Sequence, residues 1–211
     1  MVTERASDAA YRVIRSMVID LRLAPGDFVN EQSLANDIGF GRVPVREALA
    51  RLAHDRFITV MPRRGTKISE LSLEDVLDMF EAREAIQCGV AYIAANKVTD
   101  SDLETLRELV AAADRARASS SSELFLQADH AVHMFLVQLV RNPLLQDAAV
   151  RLLLHSLRFW RWYWAKTTAT TEAMMSHSDL LAALEDRAPD RAETAMRQHL
   201  HASRQLVQLL F

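Results

Sequence analysis

The sequence predicts a mainly α fold, an N-terminal winged helix-turn-helix followed by an antiparallel six-helix bundle. Three observations predict it. Alanine and leucine are abundant and β-branched runs are few, a composition that favours helices. Five glycines and five prolines in 211 residues leave room for few long loops. Strand-like segments are confined to short pieces before residue 70, where they flank a basic turn, and helical periodicity follows. The length suits two small domains or one large one, and a hydrophobic content of 50% is ample for a packed core.

Taken in order, Tyr11, Ile14, Val18 and Leu21 share one face of a first helix, which stops before the turn Ala24-Pro25-Gly26. Phe28 and Val29 suit a short extended piece. Asn30 is placed to cap a second helix, with Leu34, Ala35 and Ile38 facing inward. Gly39 ends it, because glycine takes the left-handed conformation at a helix terminus without penalty. In the third helix Pro44 sits in the first turn, where a missing N–H costs nothing. Val45, Ala48, Leu49 and Leu52 recur at three- and four-residue spacing and make its buried face, which leaves Arg42, Arg46 and Arg51 outside. An amphipathic surface helix explains that pattern as well as a recognition helix does. The tight glycine turn before it decides for a helix-turn-helix. Phe57 to Val60 and Thr66 to Ile68 then read as strands around Met61-Pro-Arg-Arg-Gly65, a hairpin with a basic tip.

Charge supports the same reading. The net charge is −3, yet residues 42–67 hold seven basic residues and two acidic ones. A local surplus of this kind is an electrostatic footprint for phosphate, whatever the total. The single cysteine, Cys88, excludes an internal disulfide and reads as a small core residue. No signal-peptide pattern and no run of eighteen apolar residues is present, so a cytoplasmic protein without a membrane partner is expected.

The stretch from Tyr11 to Ile68 resembles the DNA-binding domain of GntR-family bacterial transcription regulators. The segments that carry the resemblance are Leu23-Ala-Pro-Gly26, Glu31-Gln-Ser-Leu-Ala35, Arg42-Val-Pro-Val-Arg-Glu-Ala-Leu49 and Arg64-Gly65, in the family's order. The resemblance implies that Arg42 and Arg46 reach base edges or phosphates in the major groove, and an arginine fork suits guanine O6 and N7. Val43, Pro44 and Val45 would add apolar and backbone contacts, while Arg64 and Gly65 bring the wing to the backbone or minor groove. Gly41 and Val43 stand where the family usually has serine and threonine, and Gln32 where many relatives have arginine.

Ser69 to Leu73 links the wing to the second part. Val76, Met79, Phe80, Arg83, Ile86, Val90 and Ile93 follow one face of a long helix that breaks at Asn96 to Asp100. A second runs from Asp102 to Ala118, with Leu103, Leu106, Leu109 and Val110 inward. Four serines, Ser119 to Ser122, make a turn. A third helix reaches about Arg141, and a fourth runs from Asn142-Pro143 past Trp164. After a turn at Thr167 to Thr171, the last two cover Glu172 to Arg187 and Asp190 to Leu210. Domain boundaries of 1–70 and 71–211 follow, and short connections make the second an antiparallel bundle.

Asp129 and His133 project from adjacent turns of one helix face, and His177 and His199 belong to the final two helices. A carboxylate with three imidazoles suits a divalent transition metal, and bundle cores build such sites from facing helices. By spacing alone, histidines in helices are more often surface residues or hydrogen-bonded core groups. The set Asp129-His-Ala-Val-His133, Asn142-Pro-Leu-Leu145, His177 and Asp190 to His199-Leu200 resembles the FCD effector domain of the FadR-type subfamily. It implies that Asp129, His133, His177 and His199 ligate a metal, zinc first, with nickel and manganese open. His130 and His201 are offset and should face away. Arg83, in Glu81-Ala-Arg83, would grip an effector carboxylate or instead pair with Glu81 or Glu84. His155 is a further pocket candidate.

Leu157 to Trp164 holds every tryptophan of the chain. Core packing plus a dimer interface explains these aromatics, and a ligand-pocket wall is the alternative. The whole reads as a regulator rather than an enzyme: a homodimer on double-stranded operator DNA, its affinity modulated by a small carboxylate-containing effector bound near the metal. A metal-dependent enzyme carrying a DNA-binding domain is the other reading, although no general base or nucleophile accompanies the histidines.

Overall fold

A computed structural model describes residues 5–119, 121–167 and 169–208. Ser120, Thr168 and residues 209–211 lie outside them, and with them parts of the two expected turns and the expected helix end at Leu210. The chain forms two compact units that divide between Ser72 and Leu73.

In the first unit α1 (Ala6–Ile19) buries Ala10, Tyr11, Ile14, Val18 and Ile19. Leu21, expected on that face, lies past the helix end at φ 59°, and Ile19 takes its place in the core. Strand β1 (Phe28–Val29) leads to α2 (Glu31–Ile38). Asn30 Oδ1 accepts from the Gln32 and Ser33 amides, both at 3.0 Å, and Gly39 closes α2 at φ 72°. Helix α3 (Arg42–His54) buries Val45, Ala48, Leu49 and Leu52, and its N-cap residue Gly41 supplies no side-chain cap. Strands β2 (Ile58–Met61) and β3 (Gly65–Ile68) make the expected hairpin. Its third strand comes from β1, antiparallel to β3 with Phe28 opposite Lys67. Two residues carry too little periodicity to announce that pairing.

Among the described residues the second unit has six α-helices: α4 (Leu73–Lys97), α5 (Asp100–Ala118), α6 (Ser122–Leu139), α7 (Pro143–Lys166), α8 (Ser178–Glu185) and α9 (Pro189–Gln208). Thr99 and Asp102 cap α5 reciprocally, Ser121 caps α6 and Asn142 caps α7 ahead of Pro143. Helix α4 packs against α9, α7 and α6. Over its 25 residues the buried stripe drifts, so that Gln87, Ala91 and Ala94 are interior while Ile86 and Ile93 are only half-buried. Helix α8 starts at Ser178, not at Glu172. Thr171 to Ala173 form a 3-10 turn instead, pinned by Thr171 Oγ1 donating to the Arg117 carbonyl at 2.7 Å. Among the described residues two clusters build the core of this unit. One, of aliphatic residues, runs from Val90 and Leu106 through Leu136 to Leu184 and Met196. The other is aromatic and gathers Phe80, Phe125, Phe159, Trp160 and Tyr163. Phe159, Trp160 and Tyr163 are core residues, with Trp162 and Trp164 half-buried against them. Among the described residues no helix is long and apolar enough to cross a membrane.

Candidate functional site

Three segments deliver the polar cluster inside the bundle. The α-helical repeat sets Asp129 above His133 on α6, the turn before α8 supplies His177 as its N-cap residue, and α9 supplies His199. Their ligand atoms all lie within 4.8 Å of one another. His133 Nε2 is 3.3 Å from His177 Nε2, which in turn is 3.5 Å from Asp129 Oδ1, and His133 Nε2 is 3.9 Å from Asp129 Oδ2. Donors bound at about 2.1 Å to a shared ion stand roughly 3.0 to 3.4 Å apart, so the cage is close to the size a transition metal needs. All three imidazoles are buried.

Electrostatics agree with the donor chemistry. Desolvation and, second, the neighbouring His177 push His133 and His199 well below the ordinary histidine value, which leaves neutral rings of the kind that ligate metals. His177 is lowered by burial and partly restored by Asp129. Burial raises Asp129, against the opposing pull of His177 and Arg83. Desolvation outweighs that pull, so the carboxylate is only partly compensated. Asp129 Oδ1 and His199 Nδ1 are also buried without a hydrogen-bond partner, a cost of about 1–3 kcal/mol for each such group. A divalent ion would relieve each of these deficits, and the residues present fit one.

Arg83 stands next to this cluster. It is 3% exposed. Its Nε donates to Gln87 Oε1 at 3.2 Å and Nη1 to Ser156 Oγ at 2.8 Å, and its guanidinium lies 5.6 Å from the Phe80 ring centre. Burial pulls its pKa down to about 10, with Asp129 acting in opposition. The pairing with Glu81 or Glu84 does not form. Glu84 is taken instead by Arg197 and His201, at 2.5 and 3.1 Å. A guanidinium whose hydrogen-bond partners are neutral is suited to an anion. Gln87, 1% exposed with Nε2 unpartnered, and Ser156 belong to the same site. Sequence reasoning missed both, because a glutamine and a serine among apolar neighbours give no motif; the signal was Gln87 one helical turn after Arg83. On α7 it is Ser156 that meets Arg83, while His155 is half-buried one residue before it. His201 faces out as expected. His130 also stays out of the four-residue group, although it is half-buried, and desolvation, then Arg83 and Arg161, lowers it to about 4.

In the first unit Arg42, Val43, Arg46, Glu47 and Ala50 are exposed on α3, and Arg46 is held by Glu31 at 3.4 Å. Val45 is fully buried, so it offers no outward contact, and Pro44 is half-buried. Arg64 and Gly65 are exposed at the hairpin tip, where Arg63 and Gly65 both take positive φ, 63° and 96°.

Residues 78–202 match the FCD domain family, and residues 6–68 match the family described as bacterial regulatory proteins, gntR family. The HTH-type transcriptional repressor RspR of Escherichia coli K12 is 28% identical over 198 residues, 94% of this chain and 87% of that protein. The HTH-type transcriptional regulator LutR of Bacillus subtilis is 30% identical over 205 residues, 87% of this chain and 93% of that protein. In three dimensions E. coli McbR/YncC superposes with a TM-score of 0.84 at 17% identity over 99% of both chains. A putative transcriptional regulator GntR from Rhodococcus sp. RHA1 gives 0.73 at 19% identity, covering 97% of this chain and 98% of that one. RspR, LutR and the Rhodococcus protein are named as regulators of transcription, not as enzymes. With a winged helix-turn-helix ahead of a helical effector domain, the chain belongs to the GntR family of bacterial transcription regulators and carries an FCD domain.

Proposed function

We propose that this protein regulates transcription as a cytoplasmic homodimer whose grip on operator DNA responds to a small carboxylate bound beside a metal. The domain assignment is residues 1–70 for DNA and residues 71–211 for effector and dimerisation. Asp129, His133, His177 and His199 hold the ion, zinc first with nickel or manganese open. When bound, the ion supplies positive charge and free coordination positions for a ligand oxygen. Arg83 orients the carboxylate through charge-assisted hydrogen bonds, and the unpartnered Gln87 Nε2 donates to a second acceptor on the same molecule. His155 borders the pocket.

One observation carries this reading: neutral histidines and a desolvated aspartate converge beside a buried arginine whose hydrogen-bond partners are neutral. In the reading head Arg42 and Arg46 contact bases or phosphates, Val43 and Pro44 line the contact, and Arg64 and Gly65 bring the wing to the backbone. A two-fold dimer would set two α3 helices in successive major grooves of a near-palindromic site. Coupling is reciprocal, so operator DNA weakens effector binding by the factor through which effector weakens operator binding. The test is operator affinity at fixed salt, with the protein chelated, metal-loaded, and metal-loaded with a panel of carboxylates. A change confined to one acid with metal present supports the reading. Unchanged affinity across the panel sinks it.

A further inference from the structure

We propose that Val43 makes the choice of operator depend on the C5-methyl group of a thymine. The inference rests on α3 entering the major groove. Val43 is 69% exposed, in the first turn of α3. Arg46, Glu47 and Ala50 follow it at helical spacing and are exposed with it, while Val45, Ala48, Leu49 and Leu52 turn inward. The open face of the helix thus begins with a bare isopropyl group. Gly41 beside it has no side chain to cover it.

The valine side chain has neither donor nor acceptor, so it cannot itself hold a phosphate or read a base edge by hydrogen bonding. Its only means of discrimination is apolar contact. The apolar feature that a base pair presents in the major groove is the thymine methyl. Helix-turn-helix proteins bring the N-terminal residues of the recognition helix to the base edges, which is where Val43 stands. A β-branched side chain in a helix has essentially one χ1 rotamer, so its methyls are fixed in place and lose little freedom on contact. Glu47 on the same face disfavours a phosphate there, which leaves the groove floor as the complementary surface.

Full-length protein is used to select binding sites from a random duplex library. Each thymine of the enriched site is then replaced singly by deoxyuridine, which removes only the methyl. Binding should weaken about fourfold at one thymine of each half-site. Val43→Ala should keep its helicity, lose about fourfold in affinity per half-site on the thymine duplex, and bind the thymine and uracil duplexes alike. Cytosine at that position should bind poorly, and 5-methylcytosine should recover part of the loss for the unsubstituted protein alone. If no uracil replacement weakens binding, or if Val43→Ala keeps the thymine preference, the proposal is wrong although α3 still reads the site. If no sequence is enriched, the placement of α3 falls and the proposal with it.

Discussion

Arg46 on α3 and Arg83 on α4 carry the same guanidinium into opposite surroundings. The Arg46 side chain is 68% exposed and leans on Glu31, whereas Arg83 is 3% exposed and bonded to Gln87 and Ser156. A charge in water costs little to keep, pairs weakly and is screened by salt. It suits a polyanion that many arginines meet at once. A charge in the core has lost its hydration and must recover it from specific partners. It suits one small ligand whose oxygens fit. The wet arginines predict weak individual effects and strong salt dependence, and the buried cluster predicts large effects governed by protons and metal.

The largest expected effect is the response of the chelated bundle to acid. His133, His177 and His199 have folded-state values below the unfolded histidine value of about 6.5. Above that pH both states hold neutral rings and the contribution is fully present. As pH falls from about 6.5 toward the depressed values, the unfolded chain binds protons that the folded chain refuses, and stability drops. Each ring that stays neutral while its unfolded counterpart is protonated contributes at most about 1.4 kcal/mol per pH unit, and the raised carboxyl of Asp129, which takes up a proton in the folded chain, offsets part of that loss. All three tryptophans lie between residues 160 and 164, so their fluorescence in urea titrations reports the bundle alone. A flat profile between pH 7 and 5.5 would erase the distinction between the two regions.

Next comes metal removal. Unsubstituted protein in metal a hundredfold above its Kd should gain about 2.7 kcal/mol over the chelated form, because the ion binds only the folded state. His177→Ala should show no such gain and should purify without stoichiometric metal, measured by elemental analysis alongside thermal unfolding. Full occupancy in that variant would remove His177 from the ligand set.

On the exposed side, Arg46→Ala should cost about 1–3 kcal/mol against the selected site and far less against random duplex, with helicity unchanged. Arg64→Ala should weaken both alike and lower the salt slope by about one. If Arg46→Ala lowers affinity uniformly, Arg46 neutralises phosphate and reads no base.

These differences bear on what a sequence discloses. The reading head was almost fully legible, because its signals are local: Asn30 caps within three residues, Gly39 needs its positive φ, and Val45, Ala48, Leu49 and Leu52 keep strict helical spacing. The six helices of the bundle were legible for the same reason. The site was legible only where residue type was conspicuous, as with the aspartate and three histidines. Gln87 and Ser156 gain meaning from the fold, which sets α4 against α7 across 73 residues of sequence. The late start of α8 was hidden too. Glu172 to His177 has ordinary helical composition, and the tertiary tether of Thr171 to Arg117, not propensity, holds it as a turn.

That tethered turn supports the smallest prediction, which asks whether the buried region is organised beyond its ligands. Of the four proposed ligands His177 is the one that lies outside a helix interior, and the residue before it is fixed: Ser176 Oγ donates to Asp114 Oδ2 at 3.1 Å and accepts from the Ser178 amide at 3.1 Å. Outer-shell hydrogen bonds of this kind orient ligands, and their loss typically lowers metal affinity about tenfold or more. Ser176→Ala should therefore release metal about tenfold faster while the chelated protein unfolds within about 1 kcal/mol of the unsubstituted chain, and Ser176→Thr, which keeps the hydroxyl, should restore slow release. The competing account is that packing alone fixes His177, whose ring centre lies 5.1 Å from that of His133 and 4.3 Å from that of His199. Under that account Ser176→Ala releases metal at the original rate. A tenfold change with unaltered apo stability separates the two, because a purely structural bond would move the unfolding curve first.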